Sequence, residues 1–394
     1  MQLAEARSIL AEVLAPLPVD RFFDEIMGRS FAEVPGGAQH PRRAIFGDHP
    51  AETVLAAHAT HADRLGCHAE APRGPAPGAI PAADPQAFRA SIGAFHDVGY
   101  TVRVPDVIPL APGLQRFARA LEFMLHQPVE CSLFWSAEAA RAPVHYDDKD
   151  IIVIQLVGRK QWYVSAAPPS LHNSWRDIAE VPPQLGEHRT IDMGPGDLIY
   201  VPRGTPHTVQ SQSESLHLSI GFLPVTLREA IIAALDHLSD FDRPLRETVL
   251  GRIDRPLDMA ALSQAVGDGL ERLSRHVRTP GFLEGAMQRR SSRVIGQLAR
   301  LEGAPPVEPL TAASEVRHNP LALCHMLATP QQIDFCQPGG HINIHRGVEP
   351  ALRFIAATPV FRIGDIPGGL PDDIRIALVA RLMTSGFLQS AGHG

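Results

Sequence analysis

Within six positions of the stretch APVHYDDKDIIVIQLVGRKQW, residues 142 to 162, stand one histidine and three aspartates: His145, Asp147, Asp148 and Asp150. Acids this crowded repel one another unless a positive charge sits among them. In an extended segment, residues i and i+2 share a face. His145 and Asp147 then present an imidazole and a carboxylate together. Asp148 and Asp150 turn the other way, to orient neighbours or to pair with arginine. With a second histidine, such a pair makes a facial triad that suits non-haem Fe(II) and leaves positions open for other ligands.

The stretch GDLIYVPRGTPHTV, residues 196 to 209, supplies that histidine. It reads as a strand, a turn shaped by Pro202, Gly204 and Pro206, and His207 at the start of the next strand. A histidine after a turn is more often a plain surface residue; coupled to the earlier pair, it becomes the third ligand. Lys160 follows the apolar run 151 to 157 and the turn at Gly158. A buried cation there needs an anion, and a dicarboxylate chelating a metal through one end offers it the other. Of the 36 lysines and arginines only two are lysines, Lys149 and Lys160, and both fall in this stretch. Where arginine is the default cation, a retained lysine marks a place where a compact ammonium acts differently from a planar guanidinium. Lys149 has the parity of His145 and Asp147 and is the substrate-side candidate, the alternative being an exposed lysine at a strand end. A decoy, His61-Ala62-Asp63, lies in a segment of helical pattern where i and i+2 diverge, and reads as a solvated face. His217, within SLHLSIGF, reads as packed rather than as a fourth ligand.

The elements that must position these groups change character along the chain. Helical periodicity over 3 to 14 and 113 to 126 precedes a run of short β-like segments from about 129: VECSLFW, APVHYD, DIIVIQLV, KQWYVS, HRTIDM, GDLIYVP, HTVQSQ and SLHLSIGF. Many short strands with glycine and proline punctuation indicate a sandwich or barrel, the jelly roll among them. Thr226 and Glu229 make a capping box for a helix whose apolar face is Leu227, Ile231, Ala234, Leu235 and Leu238. Helical patterns follow over 258 to 276 and 282 to 302, then strand-like pieces QQIDFC, HINIHR and LRFIAA and a last helix from Pro371.

Composition bounds the function. The 394 residues allow two or three domains, and a hydrophobic fraction of 44% supplies a sizeable core. A net charge of −7 argues against general nucleic-acid or membrane-surface binding and favours a basic partner. No apolar run reaches membrane-spanning length, and the acidic, amphipathic start MQLAEARSILAEVLAPL is not a signal peptide. The four scattered cysteines form no disulfide-like framework. These features predict a cytoplasmic protein.

HYDDKDIIVIQLVGRKQW followed by GDLIYVPRGTPH and SLHLSIGF resembles the Jumonji-C, cupin-like ribosomal oxygenases, Fe(II)- and 2-oxoglutarate-dependent hydroxylases of protein residues. The likeness spans about 129 to 222, where spacing, turn and flanking strands agree. It implies a mainly β core, the double-stranded β-helix or cupin/JmjC jelly roll, in a catalytic domain over 1–225 with N-terminal helices. A helical dimerisation domain over 226–303 and a C-terminal α+β, winged-helix-like domain over 304–394 follow. It implies that His145, Asp147 and His207 bind iron and that Lys160 binds the distal carboxylate of the cosubstrate 2-oxoglutarate, with O2 as co-reactant. Aligned without gaps, Cys131 and Leu133 stand where the family carries an asparagine and a tyrosine that hold the cosubstrate. SAEAAR then replaces a glycine-containing loop. The implied activity is hydroxylation of a C–H bond on a protein or peptide residue, by a homodimer. The altered loop keeps open the same chemistry on a small peptide or specialised metabolite. A cupin-like module that binds metal without turnover is the non-enzymatic alternative.

Overall fold

The computed structural model of the chain describes residues 1–37, 39–171, 184–249, 257–306 and 308–391. Two compact units emerge, Met1–Pro224 and Val225–Gly394. Among the described residues no helix is long and apolar enough to cross a membrane.

Among the described residues the first unit holds ten strands: β1 (Ala32–Val34), β2 (Gly66–His68), β3 (Thr101–Val104), β4 (Val129–Ser136), β5 (Asp150–Val157), β6 (Lys160–Ser165), β7 (His188–Met193), β8 (Leu198–Val201), β9 (His207–Ser211) and β10 (Ser215–Phe222). Seven form one antiparallel sheet in the order β1-β8-β5-β10-β4-β3-β2, and three form another in the order β7-β6-β9. The order β8-β5-β10-β4 brings strands distant in sequence side by side, as in a jelly roll. Alternation explains the two sheets. Ile151 and Val153 of β5, Trp162 and Val164 of β6, Ile191 and Met193 of β7, and Ile199 and Val201 of β8 point into one shared core. The residues between them on the large sheet, such as Ile152 and Ile154, point the other way and are equally buried. That outer face is covered on β4 by the helix Pro112–Leu125, which packs in turn on the helix Leu3–Leu14. A strand buried on both sides reads as a continuous apolar run, which is why DIIVIQLV shows no alternation.

The turn from β5 to β6 requires glycine. Gly158 has φ +70, and a Cβ there would lie 2.1 Å from the Glu214 carbonyl oxygen. It reverses the chain within two residues and sets Lys160 at the first position of β6. The N-terminal helix is tied to the β sheet by Arg42, which is 2% exposed. Its guanidinium donates to the carbonyls of Val13 (2.8 Å), Ala15 (2.8 Å), Val34 (2.7 Å) and Gly196. Arg42→Ala strands these buried acceptors and is expected to cost about 3 kcal/mol of folding stability. Chemical denaturation checks this, and a midpoint unchanged from the parent contradicts the role.

In the second unit the capping box forms as expected: Glu229 N–H donates to Thr226 Oγ1 at 3.2 Å, and Thr226 N–H to Glu229 Oε2 at 3.1 Å. The helix it starts, Leu227–Ser239, buries Ala234 and Leu238 and leaves Leu227, Ile231 and Leu235 exposed, so its apolar stripe is only half covered. Helices Met259–His276 and Phe282–Gln297 follow. The remaining strands are β11 (Glu315–His318), β12 (His325–Ala328), β13 (Gln332–Gln337), β14 (Gly340–His345), β15 (Val360–Arg362) and β16 (Leu388–Ser390). They make two three-stranded sheets, β15-β11-β16 and β12-β13-β14. LRFIAA, expected as strand, lies in the helix Glu349–Ala357. Pro350 in its first turn is a helix-start signal, and Leu352 and Ile355 at i, i+3 face the core.

Candidate active site

His145, Asp147 and His207 converge: one ligand atom from each lies within 4.8 Å of the others. The route differs from the one expected. Residues 142–149 are not a regular strand; β5 begins only at Asp150. What aligns the two histidines is one isolated antiparallel bridge. His145 N–H donates to His207 O at 3.0 Å and His207 N–H to His145 O at 2.7 Å, which puts the rings 4.4 Å apart. Asp147 reaches the same point from the loop, its carboxylate 3.5 Å from His207 Nε2.

Both imidazoles are held the same way. His145 Nδ1 lies 2.8 Å from Pro143 O, and His207 Nδ1 lies 2.9 Å from Thr205 O. A carbonyl only accepts, so each Nδ1 carries the proton and each Nε2 keeps its lone pair for a metal. Burial, with His145 beside it, holds His207 down to about 4, neutral at physiological pH. This donor set fits a divalent ion: two neutral imidazoles and one carboxylate, with the tautomers already fixed.

Asp150 faces away from the cavity and orients its neighbours, as expected, through a buried rather than a solvated carboxylate. It is fully buried and braces the turn that carries His207, accepting from Tyr200 O–H at 2.6 Å and from Arg203 N–H at 3.1 Å. Burial raises its pKa, against the pull of these two bonds. Gly204 N–H closes the arrangement by donating to Asp147 O at 2.8 Å. Asp148, expected to face away, lines the cavity, because the irregular backbone breaks strand parity there. His61 of the decoy is buried rather than solvated, with Thr60 Oγ1 2.8 Å from its Nδ1.

Lys160 is 1% exposed, and its ammonium donates to Ser136 Oγ at 2.8 Å. Among the described residues no acid pairs with it, and burial alone pulls it down to about 7. Beside it His217 is buried as expected, but among the described residues neither its Nδ1 nor Trp162 Nε1 has a hydrogen-bond partner. An unpaired cation next to orphaned polar atoms fits an anionic ligand.

The cavity has a volume of 490 Å³ and is lined by His145, Asp147, Asp148 and Lys149. On β4 it is lined by Glu130, Ser132 and Phe134. Cys131 and Leu133 are buried on the opposite face of that strand, level with Ile220 and Leu218. Neither side chain therefore faces the cavity, and a register shifted by one residue would exchange the two faces of the strand. The signal was present in VECSLFWS, where polar Glu130, Ser132 and Ser136 alternate with apolar Cys131, Leu133 and Trp135. His68 on β2 also lines the cavity and was missed, because GCH is too short to show a period. Burial, then His145 and Lys160, hold it down to about 4.

A JmjC domain model matches residues 111–230, which contain Ser136, the three converging groups and Lys160. Among curated proteins, the chain is 28% identical over 142 residues to the bifunctional lysine-specific demethylase and histidyl-hydroxylase NO66 of Drosophila willistoni, covering 34% of this chain and 18% of that one. It is 27% identical over 257 residues to ribosomal oxygenase 1 of Rattus norvegicus, covering 59% and 41%. The chain therefore spans less than half the length of these relatives. Among solved structures, YcfD, a ribosomal oxygenase from Escherichia coli in complex with cobalt and 2-oxoglutarate, is 18% identical with a TM-score of 0.56 over 96% of this chain and 99% of that one. Its complex with cobalt and succinic acid gives 16% identity and a TM-score of 0.57, over 96% and 99%. Residues 111–230 thus match a JmjC domain, and the chain shares the fold of the ribosomal oxygenase YcfD.

Proposed function

We propose that this protein is an Fe(II)- and 2-oxoglutarate-dependent oxygenase that hydroxylates a C–H bond on a protein or peptide residue. The observation that carries the reading is a preset His–Asp–His cluster, whose His145 and Asp147 line the cavity, together with a buried lysine held by Ser136 that has no acid beside it among the described residues. His145, Asp147 and His207 would hold Fe(II), and Lys160 with Ser136 would hold the far carboxylate of 2-oxoglutarate. The bound metal supplies the activation of O2; one oxygen atom goes to the C–H bond and the other to succinate, with release of CO2. The protein's part is to orient the two imidazoles, neutralise the cosubstrate's distal charge and keep water from the interior. A cavity of 490 Å³ that opens to solvent has room for a five-carbon dicarboxylate and a side chain presented on a polypeptide.

The exposed Leu227, Ile231 and Leu235, with Met259, Val266 and Leu270 on the next helix, support a homodimer through the helical segment 226–303. A monomeric mass in solution refutes that. The two small sheets and helices over 304–394 fit a separate winged-helix-like part that docks a protein partner. The free state of all four cysteines supports a cytoplasmic location.

The test is succinate release from 2-oxoglutarate by protein loaded anaerobically with Fe(II) and then exposed to air. Metal-dependent succinate, stimulated by the polypeptide fraction of a cell extract, is expected; no succinate with or without extract sinks the oxygenase reading. Lys160 adds a pH signature. With its pKa near 7 in the free protein, it is mostly neutral at pH 8 and mostly charged at pH 6. An incoming carboxylate raises that pKa. Binding of 2-oxoglutarate should therefore take up about one proton at pH 8 and few at pH 6, with affinity falling as pH rises above 7. Calorimetry in buffers of different ionisation enthalpy measures the uptake, and equal values at the two pH values contradict it.

A further inference from the structure

On the face of β4 whose Glu130, Ser132 and Phe134 line the cavity, side chains recur at every second residue, and Ser136 is the next in that row. Side chains on one strand face are about 7 Å apart, so Glu130 and Ser136 lie at opposite ends of this row. Ser136 holds Lys160 at the anion end. At the other end, Glu130 Oε1 meets Lys149 Nζ at 2.5 Å, with the lysine side chain 29% exposed and the glutamate 57%. Glu130 and the neighbour of β5 that carries Lys149 are separated by β10, whose residue at that level is Gly221. A Cβ on Gly221 would lie 3.4 Å from Glu130 Cγ and 3.5 Å from Lys149 Cδ. The two side chains therefore reach over a glycine to join across the cavity wall.

We propose that the Glu130–Lys149 pair reads the substrate side chain and selects a carboxamide, that of asparagine or glutamine. This rests on the oxygenase reading above. A joined carboxylate and ammonium offer one acceptor and one donor side by side. A carboxamide presents the complement on a single carbon: its oxygen accepts from Lys149 and its NH2 donates to Glu130. Both charges stay compensated. A guanidinium or ammonium only donates, so it competes with Lys149 for Glu130 and leaves the lysine unpaired. A carboxylate does the converse. Imidazole has a donor and an acceptor, but they point in opposite directions and do not meet both members of the pair.

The probe is a library of synthetic dodecapeptides randomised at every position, incubated with Fe(II), 2-oxoglutarate and air. Mass spectrometry locates the added oxygen, and succinate is measured in parallel. Wild-type protein is expected to place oxygen on asparagine or glutamine about tenfold more often than on lysine or arginine, the ratio one charge-assisted hydrogen bond commands. Lys149→Met should free Glu130 and move the product towards arginine and lysine; Glu130→Gln should remove that cationic preference. A wild-type product on charged residues overturns the proposal, as does a distribution that neither substitution moves. Succinate without any oxidised peptide also counts against it and leaves the oxygenase reading standing. Absence of succinate overturns that reading and the proposal with it.

Discussion

Replacing His207 with alanine is expected to lower Fe(II)-dependent succinate formation by about 10³-fold or more, because the remaining imidazole and carboxylate make only two-thirds of a facial triad. His207 does more than supply a lone pair. Its backbone exchanges both hydrogen bonds with His145, but alanine preserves that bridge, so the loss isolates the imidazole. Asp150→Ala separates the ligand from its support. It leaves all three ligand groups in place and removes the acceptor of Tyr200 O–H and Arg203 N–H. A turn freed in this way is expected to cost about 10- to 100-fold in metal affinity, the range found for groups that orient ligands. Anaerobic Fe(II) titration of the three proteins should rank them parent, Asp150→Ala, His207→Ala. An His207→Ala protein that binds Fe(II) and turns over like the parent contradicts the assignment.

The second large effect concerns Lys160 and has two faces of opposite sign. Lys160→Met is expected to weaken 2-oxoglutarate binding by about 100-fold or more, since a buried charge-assisted contact is lost. The same substitution should stabilise the protein. The lysine's folded pKa, about 7, lies below its unfolded value of 10.5. The unfolded chain therefore holds the proton more tightly, and folding pays for burial of the charge in full below pH 7. Between pH 7 and 10.5 the lysine becomes neutral in both states and the penalty disappears. A methionine of similar length removes a penalty on the order of 4 kcal/mol at pH 6 and almost none at pH 10.5. Thermal melts across this range should show the variant above the parent at pH 6 and the two converging as pH rises. A variant less stable than the parent at pH 6 would mean that the ammonium is compensated in the free protein.

Much of this site was legible in the residues themselves. Apolar runs of strand length separated by glycine and proline announced the β core, and the turn Pro202–Pro206 announced the delivery of His207. The Thr226 capping box formed because its chemistry is local. What escaped notice depended on parity and on tertiary contacts. His145 and Asp147 come together through a bridge to His207, which no local pattern encodes. Asp148 was sorted by strand alternation in a segment that is not yet a strand, and it lines the cavity; Asp150, where β5 begins, does turn away and is buried under the turn. Cys131 and Leu133 came from counting across SAEAAR, whereas the pairing of β4 with its neighbours turns Glu130 and Ser132 to the cavity. The alternation within VECSLFWS pointed to the right face, and weighing it above the gap-free count recovers it. His68 lies on a three-residue strand whose pairing with β3 alone brings it to the cavity.

The central claim is that His145, Asp147 and His207 hold Fe(II) while Lys160 anchors 2-oxoglutarate on it, and anaerobic visible spectroscopy tests this most directly. Chelation of Fe(II) by the 2-oxo acid gives a metal-to-ligand charge-transfer band that neither component shows alone. Wild-type protein should develop this band at one equivalent of each, His145→Ala should show none, and Lys160→Met should need far more 2-oxoglutarate to reach it. No band in the wild-type protein at saturating Fe(II) and 2-oxoglutarate, or an undiminished band in His145→Ala, would contradict the account.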